Sequence, residues 1–443
     1  MYMYKYLILI GLVSMLVSCQ EDESDGNLDE QLRIQLTEAS NGRGISFFQL
    51  PESDDYHLIP QDPNNPLTPE KVALGQLLYH EPGMGVAPKY AEGKYTYSCA
   101  SCHHANAGFQ AGVRQGIGEG GHGYGFRGET RLPNPVYSLD SLDVQPIRTP
   151  TAMNGAFQEN MLWNGQFGAT GLNVGTEASW VEGTPKFVNH LGYEGLETQA
   201  IAGLTVHRLG IDNRVRNDYQ AHFETAFPQL NDEERYTKEM AGLAIAAYER
   251  TMMSNQAPFQ RWLRGDYNAM FRNEKRGAIL FFGKAGCSNC HTGPALNTMA
   301  FHSIGMPDLV GSGIYGSSDD NDAHRGRGAF TGLPEDDYKF KVPQLYNLKD
   351  SPFLGHGGTF RSVREVVEYK NQGVPANPKV PESQITADFV PLDLTTTEME
   401  QITDFIENAL YDNNLARYEP GALPTGFCFP NNDQLSRSDR GCN

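Results

Sequence analysis

Two short segments of this chain carry the same arrangement of reactive side chains. Cys99-Ala-Ser-Cys102-His103 and Cys287-Ser-Asn-Cys290-His291 each set two thiols three positions apart with a histidine directly after. That spacing lets the thiols reach the two vinyl groups of one haem as thioethers, while the adjacent histidine lands beneath the iron as its proximal ligand. Two other chemistries use paired cysteines. A four-cysteine zinc site assembled from both pairs leaves both histidines unexplained, and a redox dithiol expects a β-α-β context that is missing here. The motifs therefore read as attachment sites for two haem c groups. What each haem does depends on its sixth iron position: two strong protein ligands make an electron carrier, and an open or displaceable site permits chemistry.

The elements around these motifs are those of a mostly α chain with long loops. Thr68 is placed to cap a helix with Pro69 at its first position and Val72, Leu74, Leu77 and Leu78 on its apolar side. Leu243, Ala244, Ala247 and Tyr248 stripe a helix between Asn231 and Met253, and another from Glu274 to Phe282 leads into Cys287. Thr395 and Glu398 form a capping box ahead of Met399, Ile402, Ile406 and Ala409. The glycines between Gly116 and Gly125 argue for a mobile or closely packed loop, and Gly311 to Gly332 reads as loop. A helix precedes each haem motif, which suggests an internal duplication into two cytochrome-c-like domains, each nucleated by one covalently bound haem.

At 443 residues and 39% hydrophobic content, two domains are the default expectation. The net charge of −19 argues against nucleic acid, because no basic patch can release counterions from phosphates, and is compatible with attraction of a basic redox partner. The apolar run Leu7 to Val17 is too short to span a bilayer and sits where the core of a signal peptide belongs. It ends in Leu16-Val17-Ser18-Cys19, which resembles a bacterial lipobox that leaves Cys19 as a lipidated first residue; an ordinary secretory signal is the alternative. The acidic stretch after Cys19 reads as a flexible tether over residues 20–45. The expectation is an exported protein, lipid-anchored in the periplasm or at the outer membrane or cell surface. In that oxidising setting Cys428 and Cys442 would form a disulfide, with free thiols as the alternative.

A colinear set of segments resembles the bacterial di-haem cytochrome c peroxidases and their relatives of the MauG type. It comprises Lys71-Val-Ala-Leu-Gly75, the two haem motifs, Arg148-Thr-Pro-Thr-Ala-Met-Asn154, Leu162-Trp-Asn-Gly165, Ala244-Ile-Ala-Ala-Tyr-Glu-Arg-Thr251, Phe301-His-Ser-Ile-Gly305, Phe340-Lys-Val-Pro343 and His356-Gly-Gly-Thr-Phe-Arg-Ser-Val-Arg-Glu-Val-Val367. The resemblance implies that the N-terminal haem reduces hydrogen peroxide and the C-terminal haem takes electrons from a small cytochrome or other redox protein. It implies that Trp163 couples the two haems, beside the plainer reading of a packed interface aromatic. It also implies that His122, among the glycines, is a displaceable ligand of the N-terminal iron.

The chain departs from that family at three places. His207 and Arg208 stand where the resemblance places a distal glutamate; an imidazole can serve as base and a guanidinium can stabilise a departing oxygen. The family's Met or Tyr ligand of the C-terminal haem falls on Tyr369 or Lys370, with Met299 and Met306 as outside candidates. The calcium implied between the domains meets Arg148 where an asparagine is expected, although Asp350 near the other ligands leaves it open. The resulting division is a signal peptide over 1–19, the tether over 20–45, a peroxidatic haem domain over 46–255, an electron-transfer haem domain over 256–417 and a tail over 418–443. The function expected is peroxide reduction. The alternatives are a MauG-like oxidase of a protein or organic substrate and a non-catalytic di-haem electron carrier.

Overall fold

The computed structural model describes residues 25–442, so the expected signal peptide and Cys19 lie outside the described residues. Each half of the molecule is built on two helices that meet through a glycine. In the first half Pro69–His80 packs on Lys238–Thr251, and a β-carbon on Gly75 would fall 1.9 Å from the Ala244 carbonyl oxygen. In the second, Arg272–Phe282 packs on Thr396–Asp404, and a β-carbon on Gly277 would fall 1.8 Å from the Gln401 carbonyl oxygen. Only glycine allows either approach. The expected caps form: Thr68 accepts from the Lys71 amide, and Thr395 and Glu398 make a reciprocal box.

Between its paired helices each half repeats one order of features. After the haem motif come Arg148-Thr-Pro150 and Lys341-Val-Pro343, and then Asn154 and Asn347, both in the left-handed region at φ 56°. A narrow loop follows, closed by the bridges Met161 to Phe167 and Leu354 to Phe360. A further helix comes next, Gly195–Val206 in one half and Val363–Gln372 in the other. Two apolar cores result, one around Leu74, Tyr79, Phe109, Tyr219 and Tyr248, the other around Phe259, Trp262, Phe281, Tyr346 and Phe405. Among the described residues the strands are two-residue pairings, and no helix is long and apolar enough to cross a membrane.

The two ends of the described chain each cross to the opposite half. The segment read as a tether is instead a helix, Asp25–Ala39, whose Leu28, Leu32 and Leu36 are buried. Their spacing of four puts them on one helical face, and burying each is worth about 1.5–3 kcal/mol. Leu32, Leu36, Phe48 and Leu50 all join the second core, so the N-terminal boundary drawn at residue 46 does not separate the halves. Trp262 Nε1 and Lys275 Nζ fasten this helix through Asp29 Oδ1, at 2.7 and 2.8 Å.

The C-terminal tail does the reverse. Cys428 and Cys442 are joined in a disulfide, and the enclosed segment lies over the first half. Ser98 Oγ donates to the Pro430 carbonyl at 2.8 Å, Ser101 Oγ bonds Asn431 Oδ1, and the Asn432 amide donates to the Thr96 carbonyl at 3.1 Å. The glycine-rich loop is held rather than free. Its Gly121–His122 strand pairs with Leu132–Pro133, the Gly123 amide donates to Asp433, and the Tyr124 and Gly125 amides donate to Asp439.

Candidate functional site

Both haem motifs place their histidine in the same electronic arrangement. His103 Nδ1 lies 3.1 Å from the Phe109 carbonyl, and His291 Nδ1 lies 3.1 Å from the carbonyls of Leu296 and Pro343. A carbonyl only accepts, so Nδ1 carries the proton and Nε2 is left with its lone pair for iron. Phe109 and Leu296 both take left-handed φ, 53° and 49°, at the position that offers the carbonyl. Burial pulls the pKa of each histidine down to about 4, which keeps both neutral and able to coordinate. Burial also pushes the thiols of Cys99, Cys102 and Cys287 up to about 12, far from the thiolate a redox dithiol or zinc site uses.

His207 and Arg208 are each held by a buried carboxylate. His207 ends the helix Gly195–Val206, and its Nδ1 lies 2.9 and 3.1 Å from the two oxygens of Asp143. The Asp143 side chain is 4% exposed and that of His207 39%. The His207 charge adds to burial in lowering the His103 pKa. Burial works against the charged imidazole, but Asp143 more than offsets it and raises the pKa above 6.5. Arg208 follows in the left-handed region at φ 55°, and its Nε donates to Glu119, which is wholly buried and also held by Tyr137 at 2.9 Å. Arg208 Nη2 reaches no acceptor.

The second motif opens on a cavity of about 580 Å³ lined by Cys287, Cys290 and His291, large enough for a haem. One face of the helix Val363–Gln372 forms part of its wall, through Val363, Val366, Val367 and Lys370. Tyr369 lies off that face and donates to the Ile304 carbonyl at 2.5 Å, so the structure brings Lys370 to the site and not Tyr369. Burial lowers the Lys370 pKa, and this ammonium is the cation felt by Cys287, Cys290 and His291. Met306 reaches the same cavity. Trp163 lines it too, with Nε1 fixed on the Arg148 carbonyl at 2.8 Å and its ring edge-on to His356 at 6.3 Å.

The di-haem cytochrome c peroxidase family model matches residues 69–268. Methylamine utilization protein MauG of Methylorubrum extorquens is 28% identical over 361 residues, covering 81% of this chain and 82% of its own. Cytochrome-c peroxidase IdrP1 of Denitromonas iodatirespirans is 29% identical over 370 residues, covering 79% of this chain and 84% of its own. The chain is thus similar to di-haem cytochrome c peroxidases over residues 69–268 and to these relatives over most of its length. Its fold is shared with a crystal structure of a MauG-like protein associated with microbial copper homeostasis, at TM-score 0.58 and 22% identity over 83% of this chain and 95% of the other.

Two further expectations concern His122 and the calcium. His122 sits half-buried on its short strand Gly121–His122. The calcium does not fit. The Arg148 guanidinium fills that place, donating to the carbonyls of Ala111, Val113 and Arg114 and to Ser351 Oγ, and Asp350 is bonded to Asn347 instead. Sequence reasoning missed Asp143 and Glu119. The only signal for Glu119 was that it is the one acidic residue inside the glycine-rich stretch.

Proposed function

We propose that this di-haem peroxidase reduces hydrogen peroxide to water at the haem of Cys99, Cys102 and His103, with electrons that enter through the haem of Cys287, Cys290 and His291. The observation that carries this reading is the distal pair: His207 oriented by Asp143, and Arg208 held by Glu119 with an unused N–H. Haem held by Cys99, Cys102 and His103 would supply the redox chemistry of O–O cleavage. His207 Nε2 takes the proton from one peroxide oxygen and returns it to the other, while Arg208 Nη2 donates to the oxygen that departs. The balance is one peroxide, two electrons and two protons to two waters. Trp163 would couple the haems, and Lys370, as a neutral amine, would help hold the second haem's iron, in the position where the family resemblance expects methionine or tyrosine.

The donor is a basic redox protein drawn by the acidic surface, and the enzyme works outside the cytoplasm, tethered by a lipid on Cys19. Lys370 in place of methionine favours a second reading, oxidation of a protein or organic substrate by a MauG-like route. Adding peroxide to half-reduced holoprotein tests the main one. Expected is consumption of one peroxide per two electrons, with both haems oxidised. A first haem that stays six-coordinate while peroxide persists overturns it and leaves the carrier.

A further inference from the structure

The junction between the halves carries a symmetric pair of buried cations that the chain itself leaves without counter-ions. Arg148 and Lys341 occupy matching positions in the two halves, each two residues before the proline and six before the left-handed asparagine. Each also reaches across the junction in the same way: the Arg148 amide donates to the His356 carbonyl at 2.9 Å, and the Lys341 amide donates to the Trp163 carbonyl at 2.8 Å. Their side chains are 1% and 5% exposed, and both line the cavity of the second motif.

Neither cation has a carboxylate partner among the described residues. Arg148 bonds only carbonyls and Ser351, its Nε–H reaches no acceptor, and the other charges bearing on it are the cations Arg361 and Arg114. Lys341 Nζ bonds Gln158 Oε1 and the Asn160 carbonyl, both at 2.6 Å, and burial alone lowers its pKa to about 7. Gln110 Nε2, on the same wall, is another buried donor with no acceptor. A buried charge costs several kcal/mol unless it is paired, so the fold that retains two of them implies anions not made of amino acids. Haem brings such anions, since two propionates leave the ring edge opposite the thioethers.

We propose that Arg148 and Lys341 are the carboxylate seats of the haems at the junction, with Lys341 holding a propionate of the haem attached at Cys287 and Cys290. This rests on the two-haem reading above, whose failure would show separately as a holoprotein without two covalently attached haems. The test is a redox titration and resonance Raman spectrum of the haem-loaded Lys341→Met and Lys341→Arg variants. A cation beside a haem disfavours the ferric form, so its loss favours oxidation. Lys341→Met should lower the reduction constant of the second haem about tenfold, which is about 59 mV for one electron, and shift its propionate bending band. Lys341→Arg should restore both. If a folded, fully loaded Lys341→Met changes neither potential nor band, the proposal is wrong. Arg148→Met gives an independent arm, and unchanged potentials at both haems in that variant would overturn its half of the pair.

Discussion

The two halves share a scaffold and differ at the end of one helix. Each has an entry helix and an exit helix joined through a glycine, a histidine whose Nδ1 is spent on a carbonyl, and a helix that brings one nitrogen group to the far side of its site. In the first half that group is His207, backed by a buried carboxylate and followed by a second cation with a free donor. In the second it is Lys370, set among valines on an apolar face. On the reading proposed above, a proton-handling pair on one side and a single aliphatic amine on the other divide the labour between two otherwise equivalent sites. Reaction and electron entry would then be set by a few side chains, not by the fold.

The division can be broken from either side. Replacing His207 by Ala should lower the rate constant for peroxide with the reduced holoprotein about 10³-fold, as seen when a positioned acid–base group is lost, and leave the second haem's spectrum intact. A stopped-flow rate within a few-fold of the parent would remove the distal-base assignment. Cys428→Ser opens the closed loop over the first half and should cost about 3 kcal/mol in urea unfolding, with the first haem's absorbance responding before the second's. Simultaneous transitions would show that the tail does not favour one half.

Asp143→Asn keeps the shape but offers His207 an amide, which favours the wrong tautomer. About a tenfold loss in the peroxide rate is expected. A pH series sharpens this. His207 accepts a proton only when neutral, so the rate should rise with pH through a pKa above 6.5, and loss of the Asp143 charge should move that rise to lower pH. An unmoved profile would mean that another group controls it. The smallest effect on peroxide chemistry belongs to Lys370→Met, which should leave the rate of pre-reduced enzyme within about twofold while raising the second haem's potential, since a thioether favours ferrous iron. A potential equal to the parent's would exclude Lys370 as ligand.

What could be read from the chain alone followed the range of each signal. Thiol and histidine in Cys-x-x-Cys-His are local, and so were the caps at Thr68 and Thr395. Asp143 and Glu119 meet His207 and Arg208 across 64 and 89 residues, and no local pattern announces such a pairing. Tyr369 and Lys370 are neighbours in sequence, yet adjacent helical positions point about 100° apart, so only the wall of the cavity separates them. The leucines of Asp25–Ala39 were hidden because charged and polar residues fill most positions between them and the one other apolar residue there, Ile34, faces solvent, which suits a helix with a single apolar stripe.

The crossed chain ends impose an order on biogenesis. Cys99 and Cys102 lie early in the chain, whereas Pro430, Asn431 and Asp433, which close over that motif and its neighbouring loop, come more than 300 residues later. The first cysteine pair therefore stays uncovered on this side until the tail has been made, which leaves that side open to whatever must reach its thiols.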